Sequence, residues 1–155
     1  MIRLGKLADY AIVILSQLSK ENANAARSAH YLAQKTHVPE PTVAKLLKIL
    51  TKAELVVSSR GAGGGYQLSR PPASVSVADI ITAVDGPVAL VSCVSNSDHA
   101  CKIGDSCHMR GNWDRINEAV MGALAAVTLS DMITGGSNAE TIRVEFRGES
   151  HVARG

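Results

Sequence analysis

Aromatic side chains are scarce in this chain. Its 155 residues include one Trp, one Phe and three Tyr: Trp113, Phe146, Tyr10, Tyr31 and Tyr66. A core must therefore be built from Leu, Ile, Val and Ala, which suits helices better than a β-sandwich. Long apolar runs are missing too. No stretch approaches the roughly eighteen residues of a membrane span, and the N-terminus lacks the basic start and apolar core of a signal peptide. A cytoplasmic location with no membrane partner is expected. Cysteine is rare and odd in number, which argues against a disulfide framework. All three cysteines, Cys93, Cys101 and Cys107, fall within "CVSNSDHACKIGDSCH". In a reducing compartment, clustered thiols point to metal or redox chemistry.

The charge is unevenly placed. The net +2 divides into ten Lys/Arg against four Asp/Glu over residues 1–70, and six against ten over residues 71–155. A basic first half suits a polyanionic partner, although a solvated basic surface has the same composition.

The apolar spacing predicts mostly helices. Residues 4–20 place Leu4, Leu7, Ala11, Leu15 and Leu18 on one face. Asp9 falls nearly opposite, on a side shared with Ile2, Gly5, Val13 and Ser16. That side is apolar enough to predict packing on both sides, with Gly5 leaving room for something bulky and the Asp9 carboxylate needing a partner. Ser28 caps a short helix reaching about Thr36. After "HVPEP", Pro41 suits the first position of a helix running through Lys52. Two short strands, "LVVSSR" and "GYQLSR", are joined by "GAGG". Ser76 with Asp79, and Thr128 with Asp131, form capping-box patterns ahead of two further short helices. Between them, "NWDRINEAVMGALAAV" carries a stripe of Trp113, Ile116, Val120, Leu124 and Val127. The chain from Gly135 onward reads as a mostly disordered tail.

Helix, helix, turn, helix and a glycine-tipped hairpin is the order of a winged helix-turn-helix. The fold class expected is mainly α with a small β-hairpin wing. The domain expectation is a DNA-binding domain over 1–86, a cysteine-rich loop over 87–111, a long helix with a short successor over 112–134, and a tail over 135–155. In the 41–52 helix, Val43, Leu46, Leu47 and Leu50 make an apolar face. Glu40, Thr42 and Lys45 are placed to reach base edges, and Lys48 and Lys52 to meet phosphates. The wing "RGAGGGY" spends glycines freely. Gly61, Gly63 and Gly64 behind Arg60 make a thin tip that can approach a groove or the phosphates closely. A nucleotide-binding loop fails on spacing, because Tyr66 stands where G-x-G-x-x-G needs its third glycine.

"RGAGGGYQLSRP", followed by "SVADIITAVDGP", a three-cysteine loop and a long helix, resembles the Rrf-two family of bacterial transcription regulators. "RLGKLADYAIVILSQL", "EPTVAKLLKIL" and "CHMRGNWDRIN" look most like the regulators of SUF-system iron–sulfur cluster assembly. The resemblance covers about residues 1–134. It implies a winged helix-turn-helix, a homodimer joined through the helix over 112–127, double-stranded operator DNA as partner, and an iron–sulfur cluster on Cys93, Cys101 and Cys107. A [2Fe-2S] form is slightly favoured over [4Fe-4S], and zinc is the chemical rival.

The resemblance also bears on the fourth ligand. Some relatives use a histidine three residues after the third cysteine, but Arg110 stands there in this chain. Others use an aspartate in the first helix, a place that Asp9 matches. His99 and His108 are the alternatives. The function expected is a cluster-controlled transcription regulator of SUF genes. A nitric oxide or redox-sensing repressor is the alternative within the fold, and an iron–sulfur electron-transfer or carrier protein the alternative outside it. No base-and-orienter set accompanies the cysteines, so an enzyme is not expected.

Overall fold

A computed structural model describes residues 5–20, 25–91, 94, 108–109 and 112–135. Helix α1 spans Lys6–Lys20, α2 Ala29–Thr36 and α3 Glu40–Lys52. Strands β1 (Val56–Ser59) and β2 (Gly65–Leu68) form an antiparallel hairpin in which Val56 pairs with Leu68 and Ser59 with Gly65. A 3-10 turn at Pro72–Ser74 leads into α4 (Val77–Asp85). Helices α5 (Asn112–Ala126) and α6 (Leu129–Thr134) follow.

The core is aliphatic, as the composition requires. Ile14, Leu15, Leu32, Val43, Leu46, Leu47, Leu50, Val56, Val75, Ile80 and Leu129 belong to one buried cluster drawn from α1, α2, α3, the wing, α4 and α6. Tyr10, Tyr31 and Tyr66 lie at its edge, half-buried, where a phenol keeps contact with water. No helix among the described residues is long and apolar enough to cross a membrane.

Helix ends follow local chemistry. The Ser28 hydroxyl accepts from Tyr31 N–H at 3.1 Å and opens α2. The Ser76–Asp79 and Thr128–Asp131 capping boxes both form. Helix α3 begins one residue earlier than expected: Pro39 is the N-cap, Glu40 the first helical residue, and Pro41 the second. A proline suits both places, because neither needs a backbone donor.

Helix α1 corrects the expected wheel. Its buried residues are Ala8, Ala11, Ile14, Leu15 and Leu18, while Leu7 is half-buried. Asp9 is exposed and Val13 is 38% exposed, while Gly5 and Ser16 are half-buried, so the side expected to pack is open at Asp9 and Val13 in the single chain; Ile2 and Leu4 lie outside the described residues. Gly5 does not leave an open space. Its N–H donates to Asp85 Oδ2 at 3.3 Å, and a Cβ there would lie 2.9 Å from that carboxylate oxygen.

The α5 stripe divides in two. Leu124, with Val127 just beyond the helix, packs against Ala8, Val77 and Ile81. Further toward its start, Ile116 is 47% exposed and borders a shallow groove with Arg115, Ala119, Val120 and Ala123.

Candidate nucleic-acid interface

Helix α3 is held by its apolar side. Val43, Leu46, Leu47 and Leu50 are fully buried. At the period of 3.6 residues per turn this leaves Glu40, Lys45, Lys48 and Lys52 exposed, with Thr42 half-buried. Three ammonium groups therefore share the outer face of one helix whose only carboxylate, Glu40, sits at its first turn.

The wing is fastened at its base and free at its tip. Tyr66 exchanges both backbone hydrogen bonds with Arg27, at 2.8 and 2.9 Å, so the segment before α2 adds a bridge to the hairpin. That bridge explains Gly65: its φ is +151°, and a Cβ would lie 2.7 Å from the Arg27 backbone. Gly64 is equally constrained, because a Cβ there would lie 2.5 Å from Ser59 O. Gly63 differs. Its φ is not positive, and nothing comes within 4 Å of where its Cβ would be. Arg60, Gly61, Ala62 and Gly63 are all exposed.

Two further cations meet at the Tyr31 ring, one from α2 and one from the bridged segment before it. The Arg27 guanidinium lies 5.1 Å and the Lys35 ammonium 5.7 Å from the centre of the Tyr31 ring. Tyr31 and Lys35 stand four apart within α2, the spacing that puts side chains on one face, whereas Arg27 reaches the ring from its bridge to Tyr66. A contact between helices has no signal in the sequence: His30 Nδ1 on α2 lies 2.9 Å from Glu40 Oε2 on α3.

Cys93, Cys101, Cys107 and His99 lie outside the described residues, as does the 135–155 tail beyond Gly135. Among the described residues no group of three or more His, Cys, Asp or Glu is placed to hold a metal ion. His108 is exposed. The approach to Cys93 is described up to Val91, and it is anchored. Asn117 of α5, 6% exposed, accepts from Leu90 N–H at 3.1 Å and donates to Val88 O at 3.0 Å. Asparagine is a poor helix former, and its place inside α5 is explained by this double bond to the incoming chain.

The Rrf2 family model, described as an iron-dependent transcriptional regulator, matches residues 4–135. The chain belongs to the Rrf2 family. Similar proteins include the regulator CymR of Bacillus subtilis, 32% identical over 79% of this chain and 83% of that one. The regulator IscR of Enterobacter sp. strain 638 is 27% identical over 97% of this chain and 89% of its own length. Among solved structures, CymR, the global cysteine regulator of B. subtilis, superposes with a TM-score of 0.67 at 29% identity, covering 87% of this chain and 98% of that one. IscR of T. potens superposes at 0.63 with 25% identity, covering 92% and 93%. The winged-helix expectation therefore holds. This Rrf2 protein is a DNA-binding transcription regulator, and the relatives named above are regulators, not enzymes.

Proposed function

We propose that this Rrf2 protein is a homodimeric repressor whose operator binding is set by an iron–sulfur cluster, and that it governs SUF cluster-assembly genes. The observation that carries the reading is the set of three thiols within fifteen residues, on the connection between α4 and α5. Thiolates suit iron–sulfur clusters, and a cluster supplies a centre whose assembly or loss reports iron and redox supply. Cys93, Cys101 and Cys107 would hold it. Asp9, exposed on the outer side of α1, is available as a fourth ligand from a second subunit.

The chain's own residues do the rest. Lys48, Lys52 and Arg60 neutralise phosphates, while Glu40, Thr42 and Lys45 face base edges. Gly61 and Gly63 keep the wing tip thin, and Gly64 lets the chain turn closely under it. The outward half of α5 around Ile116 and Val120 meets its counterpart in a second copy, so two α3 helices read half-sites about one helical turn apart, roughly 34 Å. Asn117 joins the start of the cysteine loop to that same helix, so a change in the loop acts directly on the dimer.

Absorption and EPR spectra of anaerobically purified protein, with DNA binding measured before and after cluster removal, test this. A visible charge-transfer band lost in each of Cys93→Ala, Cys101→Ala and Cys107→Ala, with helix content retained, is expected. Colourless protein carrying zinc, or operator binding indifferent to the cluster, would sink the proposal. A cluster destroyed by nitric oxide at stoichiometric dose, with iron supply having no effect on binding, would instead identify a nitric oxide sensor.

A further inference from the structure

Glu40 is an awkward residue to find where it is. A carboxylate on the DNA-facing side of α3 repels phosphates unless a cation offsets it or a donor meets it. It is not consumed in helix capping: the N-cap is Pro39, which makes no side-chain cap, and Thr42 and Val43 N–H both donate to Pro39 O. Instead, three side chains form a chain across two helices. Gln34 Nε2 lies 3.0 Å from His30 Nε2, and His30 Nδ1 lies 2.9 Å from Glu40 Oε2.

The polarity of that chain is determined by its ends. Carboxylate Oε2 only accepts, so His30 Nδ1 donates. In the neutral ring Nε2 then accepts, and the Gln34 amide donates to it. Both contacts are satisfied with a neutral His30 ring. Among the described residues, Glu40 Oε1 has no protein donor.

His30 and Glu40 side chains are 65% and 52% exposed. An ion pair or hydrogen bond so open to water adds little to folding stability. What the chain does supply is position: a flexible carboxylate is held in one orientation at the end of the helix that enters the groove, with one oxygen turned to solvent.

We propose that His30 and Gln34 are specificity-determining positioning residues, which aim Glu40 Oε1 at the exocyclic amino group of a cytosine in each operator half-site. In the major groove cytosine offers a donor that a carboxylate accepts, and no other hydrogen-bonding atom. The inference rests on α3 being the recognition helix.

The test is selection of bound duplexes from a randomised double-stranded DNA pool. It uses the full chain, purified anaerobically and matched for cluster content. The parent should prefer cytosine at one symmetry-related position per half-site. Glu40→Ala should abolish that preference. His30→Ala should weaken it at the same position by about fivefold or more, within the range of a lost base contact. Gln34→Ala should weaken it less. All three should keep the parent's salt slope, because no phosphate contact is lost. Circular dichroism verifies the fold of each variant. An unchanged base preference in His30→Ala overturns the inference, as does an equal loss at every position, which marks a merely structural role. The triple variant Lys45→Ala/Lys48→Ala/Lys52→Ala separates the two levels. If it binds the pool as the parent does, the recognition-helix reading itself falls. If it weakens binding uniformly while His30→Ala leaves base preference intact, only the positioning role falls.

Discussion

Ser76 and Thr128 lie opposite each other in an isolated antiparallel bridge. Each is the N-cap of a helix closed by its own capping box. Val77 N–H donates to Val127 O at 2.9 Å, and Leu129 N–H to Val75 O at 2.7 Å. Helices α4 and α6 thus start side by side, and Leu129 enters the core beside Ile80.

One consequence concerns acid. Backbone and hydroxyl hydrogen bonds from Thr128 hold the Asp131 carboxyl below its ordinary value. A carboxylate whose folded value is depressed stabilises the fold above its unfolded value, and that contribution is lost as pH falls through the folded value. The start of α6 should therefore loosen on the acid side of the usual carboxylate range. NMR titration of Asp131, with amide exchange of Leu129 to Thr134, measures this. Asp131→Asn should show the looser start at neutral pH and no acid step.

The wing glycines separate by role. Gly64→Ala should destabilise the hairpin by about 1–3 kcal/mol through overpacking against Ser59 O. Gly63→Ala meets nothing in the protein, so the melting temperature should stay within about a degree, a change under ~0.5 kcal/mol. Its operator affinity should still fall, because the tip has thickened. Equal operator affinity in Gly63→Ala and the parent would remove this glycine from the DNA contact.

The basic residues should act through salt. Lys45, Lys48 and Lys52 stand exposed along α3 and Arg60 at the wing. Removing any one that meets a phosphate should lower the slope of log K against log salt by about 1. Fluorescence anisotropy on operator DNA across a salt titration reads this. A fourfold alanine variant with the parent's slope would place the DNA face elsewhere.

Asn117 anchors the chain that leads to Cys93. Asn117→Leu removes the partners of Val88 O and Leu90 N–H together and should cost about 1–3 kcal/mol per group left without a partner. Protease cleavage after Val88 should accelerate more than global unfolding does. Cleavage rates equal to the parent's would show that the loop start is held by other contacts.

Much of this protein was written locally. The two capping boxes, the Ser28 cap and the α3 apolar face depend on residues within a few positions of each other, so spacing alone specified them. The wing followed from glycines whose short-range geometry is restrictive. Other features depend on residues far apart in the chain. Arg27 meets Tyr66 across 39 positions, and this alone explains why Gly65 cannot carry a side chain. Asp85 takes the place beside Gly5 that a wheel of α1 left open. The apolar pattern of that helix was compatible with more than one burial, since alanines and leucines occur around it. Packing against Val77 and Ile81 of α4 put Ala8 inside, and Asp9 beside it was left exposed. The pairing of His30 with Glu40 likewise needed the turn at His37, held at φ +58°, to bring two helices together. Local sequence specifies elements because their hydrogen bonds close within a turn. Which polar groups face each other is decided only when the elements pack.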